Sequence, residues 1–420
     1  MSLFDADHWR EIGNTLSGNK LRTALTAFGV FWGIFLLMVM MGSGNGLERG
    51  AMQEFSGSAT NAVFVWGQRT SKPFRGLPVG RRMELTVDDV GAIQKDVREA
   101  ELVCPRCQLG GFGGGHNVTR GTKSGGFGIL GDTPELTRVQ FVPVIAGRFV
   151  NRLDLEDRRK VAVIGTRVRE LLVEKGEDPV GKEIRIQGVT FAVIGVFKSL
   201  HTGRQGEEET QSIHIPLTTF QQAFNYGRKI DWLAVKSRDD VPASIAETKV
   251  KDLLRQRHRA APDDLRAFGS WNTEEEFKKF NGVFIGIRLL VWIVGIGTLA
   301  AGVIGVSNIM LVIVRERTHE LGIRRAVGAT PAMITGQIVF EALLLTASAG
   351  YVGLIAGMLV VDGVAAAIVG AEMDFFKSPG VDISTALRAL AILVLSGIGA
   401  GIMPAWRAVR VTTVEALRAS

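Results

Sequence analysis

Cysteine is scarce in this sequence, and this scarcity limits the metal-binding and redox chemistry that the chain can perform. Only two of the 420 residues are cysteine, Cys104 and Cys107, in the spacing C-P-R-C. A structural zinc site takes about four ligands, which these two and a distant His116 do not supply. A redox motif would need a thioredoxin-like setting, and none surrounds them. We therefore expect a structural disulfide or free thiols, with metal binding and redox chemistry less favoured.

Complete signatures of catalysis are also absent. Residues 176–183 (GEDPVGKE) approach the P-loop pattern, but Glu183 replaces the hydroxyl that holds magnesium, and a helix-like run precedes where a strand should be. His319-Glu320 begins the zinc protease pattern H-E-x-x-H, but Ile323 stands at the second histidine position. We expect a chain that is not an enzyme by itself and that holds no cofactor and no metal.

Charge is nearly missing from four windows, at residues 23–44, 289–314, 342–361 and 389–405. Each contains about 17 or more apolar or small residues, enough to cross a hydrocarbon core about 30 Å thick. A long leader containing acidic residues disfavours a cleaved signal peptide before the first window. The sequence thus predicts four transmembrane helices, with these boundaries: 23–44, 283–314, 331–361 and 386–406.

Positive charge is concentrated where membrane topology needs it. The chain has a formal net charge of +7, and its arginines cluster at 315–330 and at 407–420, whereas the 362–385 loop is mainly acidic. Because Lys and Arg mark the cytoplasmic side of short loops, both termini and the 315–330 loop should be cytoplasmic. This distribution argues for an inner-membrane protein in contact with lipid and against a nucleic-acid partner.

The two soluble parts differ in size and pattern. Residues 1–22 predict a cytoplasmic amphipathic helix that lies in the membrane interface. Residues 45–282 alternate strand and helix signals and predict a large α+β extracytoplasmic domain inserted between the first two spans. Its signals are strands at 62–66, 161–164, 213–217 and 233–236, a hairpin turning at Gln187-Gly188, a capping box at Thr218 and Gln221, and a helix at 241–258. The predicted fold is therefore a four-helix transmembrane bundle that carries this domain.

The second span is longer than a membrane requires. Thr273 and Glu276 form a potential capping box, and no proline interrupts residues 273–314. A continuous helix over this stretch would be about 60 Å long at 1.5 Å per residue. The excess, from about residue 273, predicts a stalk that joins the membrane to the outer domain.

Small residues spaced four apart occur in every span, and such stripes let helices approach closely in lipid. We expect packing faces within or between subunits at Gly29, Gly33, Gly297, Ala301, Gly305, Ala349, Gly353, Gly357, Gly397 and Gly401.

The 315–330 loop is too ordered in pattern for a passive connector. Apolar residues, Val327 among them, stand between charged ones, and Glu316 and Glu320 are four apart, which predicts a short cytoplasmic helix that docks in a protein groove. The alternative is a simple positive-inside anchor. Glu341, close to the cytoplasmic end of the third span, is either structural or functional. The candidate docking residues are Glu316, Glu320, Leu321, Gly322, Ile323, Arg324, Arg325, Ala326, Gly328 and Ala329.

These motifs resemble those of the MacB/FtsX-like family of ABC transporter permeases, the type VII or mechanotransmission permeases. Residues 316–329 (ERTHELGIRRAVGA) match the inner-loop pattern of the family, and 404–408 (PAWRA) with 414–418 (VEALR) are similar to its C-terminal ending. Val414 departs from the proline that is usual there. Residues 19–26 resemble the entry to the first helix. Gly147-Arg148-Phe149, Asp154, 161–165 and Gly181-Lys182 resemble the MacB-like periplasmic core domain.

The resemblance implies a dimer, with a second permease subunit, that binds cytosolic ABC ATPase subunits through the inner loop. It implies an ATPase on a separate chain, and export with the help of a periplasmic adaptor and an outer-membrane channel. Two other roles remain open: a regulator of cell-wall hydrolases, as for FtsX-like relatives, and the release of lipoproteins from the membrane.

Overall fold

The structure is a computed structural model and describes residues 20–55, 57–110, 115–201, 203–368, 380 and 383–410. Most of the predicted amphipathic helix, most of the 362–385 loop and the VEALR motif lie outside these residues. The chain divides into two compact units, one of Met1–Arg49 with Val283–Ser420 and the other of Gly50–Gly282. We call the first the helical unit and the second the inserted domain.

The elements include every strand and helix that the sequence patterns predicted in the inserted domain, together with others that they did not. The helices are α1 Lys20–Glu54, α2 Val87–Asp96, α3 Arg152–Glu156, α4 Thr166–Leu172, α5 Gly203–Thr210, α6 Leu217–Ala223, α7 Ala243–Arg257, α8 Thr273–Glu316, α9 Thr318–Ala326, α10 Pro331–Ile368 and α11 Ile383–Arg410. The strands are β1 Ala62–Gly67, β2 Leu85–Thr86, β3 Ala100–Gln108, β4 His116–Arg120, β5 Lys123–Asp132, β6 Val144–Gly147, β7 Val161–Gly165, β8 Glu183–Ile186, β9 Val189–Phe197, β10 Ser212–Pro216, β11 Lys229–Ile230, β12 Trp232–Ser237 and β13 Phe268–Asn272.

Four helices, α1, α8, α10 and α11, are long and apolar enough to cross a membrane. Many of their large apolar side chains are exposed, including Leu289, Ile293 and Leu395, each at more than half of full exposure. A water-soluble protein rarely leaves so large an apolar surface uncovered, whereas lipid solvates it. The four predicted spans, with a domain inserted between the first and second, are therefore confirmed.

Glycines set the distance between these helices. A Cβ added at Gly33 of α1 would lie 3.3 Å from the backbone of Leu299 on α8. One added at Gly353 of α10 would lie 2.5 Å from the Phe31 carbonyl oxygen on α1. At Gly401 of α11 it would lie 2.7 Å from the α10 backbone. Such close contacts let the backbones approach, as small residues do in membranes.

Two of the small residues predicted to form a packing face on α8 do not pack against α1; a neighbouring glycine does. Gly302, between the predicted Ala301 and Gly305, faces Gly29 of α1, where an added Cβ would lie 3.0 Å from the α1 backbone. Gly297 has open space around it, and both Gly297 and Ala301 are exposed. Packing at these two positions stays a prediction for a second subunit.

The inserted domain consists of a closed barrel joined to an open sheet. Strands β5, β10, β7, β9, β8 and β4 form the barrel, which closes where β10 pairs with both β5 and β7. Strand β3 begins in the open sheet beside β12 and ends beside β5, where Cys107 pairs with Gly131. The rest of the open sheet is β12, β1 and β13, all antiparallel. The expected α+β architecture is thus present.

Two local predictions show how turn and capping chemistry work in this domain. The hairpin at Gln187-Gly188 is confirmed: φ is 46° and 87°, so both residues have the positive φ of a two-residue type I′ turn. The capping box at Thr218 is wrong, because α6 begins one residue earlier and the Thr218 hydroxyl donates to the Leu155 carbonyl at 2.6 Å.

The capping residue of α8 is also not the one that the sequence pattern predicted. Asn272, not Thr273, caps the helix: its Oδ1 accepts from the backbone N–H of Glu274 at 3.0 Å and of Glu275 at 3.2 Å. From there the helix continues without a break to Glu316, as the absence of proline predicted.

The two cysteines lie on opposite faces of β3. Cys104 packs in a small cluster with Phe64 and Ala234, whereas Cys107 packs in the main core. Both thiols are free and buried, because three residues along a strand reverse the side-chain direction. Of the two favoured alternatives, free thiols are therefore correct and the disulfide is wrong. Burial raises the pKa of Cys104 to about 12 and also raises that of Cys107, so neither is a ready nucleophile.

A buried ionic cluster lies where the open sheet meets the barrel. Arg106 of β3 forms a two-pronged ion pair with Asp132 of β5, and His214 Nδ1 of β10 donates to the same carboxylate at 2.6 Å. Arg106 also donates to Gln140 Oε1 at 3.0 Å and lies over the Trp232 ring. All three ionisable groups are less than 6% exposed, so the cluster joins three strands through desolvated contacts.

Candidate coupling site

The predicted docking loop forms a helix of its own, α9, between α8 and α10. Arg317 interrupts the chain between α8 and α9 with φ −99° and ψ 13°. At the other end, Ala329 N donates to Arg324 O at 2.9 Å and Gly328 N donates to Arg325 O at 3.1 Å. These two bonds form a Schellman motif. Gly328 has φ 109°, so the helix end needs glycine at this position.

One face of α9 packs onto the helical unit. Gly322 is buried, and Leu321 and Ala329 are partly buried against the bundle core. These three predicted docking residues therefore hold α9 in place within the chain, and a partner protein could not reach most of their surface.

Charged residues of α9 are tied to the neighbouring helices. Glu320 accepts hydrogen bonds from Arg317 at 3.1 Å and from Arg324 at 2.8 Å. Arg324 also donates to Gln337 Oε1 of α10 at 3.0 Å. Arg317 lies 3.4 Å from Glu341 Oε1. The network fixes the orientation of α9 on α10.

Two further contacts complete this anchorage. Gln337 Nε2 donates to Glu341 Oε1 at 3.3 Å, so the side chain of Glu341 is held within the helical unit. Arg325 Nη1 donates to the Val409 carbonyl of α11 at 3.1 Å. Glu341 thus has a structural role here, and the end of α11 contributes to the position of α9.

The opposite face of α9 is apolar and exposed. Ile323 is 45% exposed and Val327 is 84% exposed, and the two lie one turn apart on the same side. Ala326 and, at the end of α8, Glu316 are also exposed. We call Glu316, Ile323, Ala326 and Val327 the docking face. Val327 is not among the single candidate residues given above, but it is one of the apolar residues of the predicted docking segment, and its i,i+4 spacing from Ile323 is a signal for it.

Within the described residues, no group of three or more His, Cys, Asp or Glu side chains could hold a metal ion. What α9 offers is a rigid, partly apolar surface, which is suited to binding another protein.

Comparison with known proteins identifies the family. The sequence profile of the MacB-like periplasmic core domain matches residues 23–253, and that of the FtsX-like permease C-terminal region matches residues 292–413. The chain belongs to the MacB/FtsX-like family of ABC transporter permeases. The predicted family, its transmembrane architecture and its periplasmic-type core domain are confirmed.

Curated relatives include two exporters. This permease is 30% identical over 399 residues to the pyoverdine export ATP-binding/permease protein PvdT of Pseudomonas entomophila, covering 95% of this chain and 57% of the relative. It is 30% identical over 408 residues to the macrolide export ATP-binding/permease protein MacB of Rhodospirillum rubrum, covering 97% and 59%. The chain thus spans less than two thirds of each relative.

A solved structure of the periplasmic region of MacB from Actinobacillus actinomycetemcomitans is similar over 54% of this chain and 95% of its own, with TM-score 0.43 and 19% identity. The extracellular domain of the ABC-type transporter YknZ is similar over 50% of this chain, with TM-score 0.42 and 16% identity.

Proposed function

We propose that this permease couples ATP hydrolysis on a cytosolic ABC-type ATPase domain to movement of the inserted domain for export. The observation that carries the proposal is the docking face: a short helix fixed on one side by ion pairs and apolar contacts, with Ile323 and Val327 exposed on the other. A rigidly held helix transmits a displacement, whereas a flexible loop would absorb it.

Helix α8 provides the mechanical link in this proposal. It is a single helix of 44 residues, about 66 Å long at 1.5 Å per residue. Its last residue, Glu316, is two residues before α9. A displacement of α9 is therefore passed along α8, and its first residues from Thr273 act as a stalk. In this arrangement both termini and α9 are cytoplasmic, and the inserted domain lies outside.

The proposal includes the assembly that surrounds the chain. A second permease subunit would pack on the exposed small residues of α8, Gly297 and Ala301. ATP binding and hydrolysis take place on the docked domain, as the resemblance to ATP-binding/permease exporters suggests. On the outer side, a periplasmic adaptor and an outer-membrane channel would receive what is exported.

Co-purification with an ABC-type ATPase tests the docking face. The chain would be isolated in detergent from its own cells, and the bound ATPase quantified by its peptides in mass spectrometry. Ile323→Asp and Val327→Asp should each reduce bound ATPase at least tenfold, about 1.4 kcal/mol, because they would bury an unpaired carboxylate at the contact.

Ile245→Asp is the matched control, since Ile245 is 45% exposed, as Ile323 is, and lies on α7 of the inserted domain. It should leave ATPase binding unchanged. Undiminished binding in both α9 variants would contradict the proposed docking face. A tenfold loss in the control would attribute the effect to a general defect in the chain.

A further inference from the structure

A short hairpin at residues 69–82 follows β1 in the inserted domain. Its two arms meet at the bridges between Arg69 and Arg82 and between Phe74 and Leu77. At the tip, Arg75 and Gly76 have φ 49° and 80°, the positive angles of a tight two-residue turn. We call this segment the arginine hairpin.

The arginine hairpin is held firmly on the loop that follows α7. The buried carboxylate of Asp264 accepts from the Ser71 N–H at 2.8 Å, the Ser71 hydroxyl at 2.7 Å and the Lys72 N–H at 3.1 Å. Arg81 Nη2 donates to the carbonyls of His258 and Arg259, both at 2.8 Å. The surface is therefore preformed, and a partner would pay little ordering entropy to bind it.

Positive charge exceeds negative charge on this surface. The exposed arginines are Arg69, Arg75 and Arg82 on the hairpin, with Arg259 and Arg266 on the loop beneath it. Among the described residues, none of the five has a carboxylate within ion-pair distance. The carboxylates nearby are already engaged: Asp263 with Lys72, Asp264 with the hairpin backbone, Asp89 with Arg257, and Glu84 with Lys229. Asp231 interacts with the charge of Arg82, but it is partly buried and accepts a hydrogen bond from the Gln108 N–H at 2.7 Å.

Two of these arginines are placed unfavourably for the free chain. Arg69 and Arg82 are directly opposite each other across the hairpin, and like charges in this position repel. An anion bound between the two guanidinium groups would attract both of them and offset their mutual repulsion. Guanidinium groups in particular match the planar geometry of a carboxylate or phosphate.

Apolar side chains lie among the arginines and indicate which anion fits. Val79 is 57% exposed and Leu265 is 77% exposed, and the Arg75 guanidinium lies 5.3 Å from the centre of the Phe74 ring. Arginine combined with exposed apolar groups is typical of protein interfaces. A loop that inserts into lipid would place apolar residues at its tip, but here the tip is Arg75-Gly76.

We propose that the arginine hairpin is a docking surface for an acidic protein, whose carboxylates would pair with the five arginines and whose apolar side chains would contact Val79 and Leu265. The surface belongs to the inserted domain, and its occupancy does not depend on ATPase docking at α9. Failure of either proposal would therefore leave the other standing.

Binding of defined polymers to the full chain tests this proposal. The chain would be held in nanodiscs of neutral lipid, and labelled poly(Glu,Tyr) copolymer and poly-Glu would be titrated by fluorescence anisotropy. We expect poly(Glu,Tyr) to bind more tightly than poly-Glu, because it offers apolar groups as well as carboxylates. Affinity should fall as salt is added, since exposed charges are screened.

The paired variant Arg82→Ala with Arg266→Ala should weaken binding of both polymers at least tenfold. Neither side chain makes a hydrogen bond to a described residue, and Arg82 contributes a charge interaction with the partly buried Asp231. The thermal midpoint should therefore decrease only slightly. Leu265→Ser should weaken poly(Glu,Tyr) only. The matched control is Arg152→Ala with Arg167→Ala, two exposed arginines of the same domain that are paired with Glu156 and Glu170, and it should bind both polymers as the unchanged chain does.

Equal binding by the Arg82/Arg266 variant and the unchanged chain would overturn the proposal. An equal loss in the Arg152/Arg167 control would also overturn it, by showing that general charge is responsible. Tighter binding of polyphosphate than of poly(Glu,Tyr), or co-sedimentation of the nanodiscs with phosphatidylglycerol vesicles that the Arg82/Arg266 variant abolishes, would assign the surface to a phosphate polymer or to lipid instead.

Discussion

Replacing Asp132 by asparagine should strongly destabilise the inserted domain while barely changing its shape. Asp132 is fully buried and accepts hydrogen bonds from Arg106 and His214. Burial alone would raise the pKa of Asp132, but the charge of Arg106 and the hydrogen bond from His214 outweigh it and hold the pKa below its ordinary value. The carboxylate is therefore ionised at neutral pH, and it balances a buried guanidinium.

The magnitude follows from what asparagine leaves behind. The amide has a similar volume, so no cavity forms, but Arg106, which is 3% exposed, keeps its charge without a counterion. Removing one member of a buried ion pair costs about 3–5 kcal/mol. A domain of this size changes its thermal midpoint by about 2–4 °C per kcal/mol. Combining the two ranges gives a decrease of about 6–20 °C.

Thermal and urea unfolding of a fragment spanning residues 50–282, followed by far-UV circular dichroism at pH 7, would measure this loss. Asp263→Asn is the matched control, because Asp263 pairs with Lys72 on the surface and should leave the midpoint nearly unchanged. Adding Arg106→Met to Asp132→Asn should recover part of the stability, since it removes the stranded charge.

A midpoint for Asp132→Asn within error of the Asp263→Asn control would refute this reasoning. So would a double variant that is less stable by the sum of the two single effects. Either result would mean that Arg106 reaches water or another counterion once the carboxylate is gone.

Two further predictions concern helix packing and pH. Gly353→Ala should lower the thermal midpoint of the full chain in detergent, because the added methyl overpacks a backbone contact, which costs about 1–3 kcal/mol. Gly363→Ala is the control and should not lower the midpoint, because Gly363 has open space around it. Equal midpoints for the two variants would contradict the packing of Gly353. Burial lowers the pKa of His214, so the folded domain resists its protonation while the unfolded chain binds a proton near pH 6.5. Stability should therefore fall as the pH decreases below about 6.5, and His214→Gln should flatten that slope; identical pH profiles would exclude a contribution from His214.

Patterns that depend on neighbouring residues were predictable from the sequence. The continuous helix from residue 273, the hairpin at Gln187-Gly188 and the strands β1, β7, β10 and β12 follow from periodicity, proline placement and turn chemistry. Where two adjacent residues could both cap a helix, the sequence did not predict which of them does so. Asn272 and Thr273 are both capping residues, and only the packing of Thr273 in the interior decides which of them caps α8.

For the candidate docking residues, too, the sequence predicted the element but not its orientation. A heptad-like mixture of charge and apolar residues predicts a helix at α9, but it does not tell which side meets the bundle. Leu321 and Gly322 pack inward, whereas Ile323 and Val327 face outward. That choice depends on Gln337 and the end of α11, which are distant in sequence.

The sequence by itself determined the four spans, the family and the position of the short helix α9, because hydrophobic length and local motifs are properties of contiguous residues. Only the tertiary structure decided that Cys104 and Cys107 are buried in two separate clusters, that Gly302 rather than Gly297 or Ala301 packs against α1, and that Arg106 meets Asp132 in the core. These outcomes depend on which distant elements share a surface. The physical reason is that burial and pairing are set by strand order and helix contacts, which no single stretch of the chain encodes.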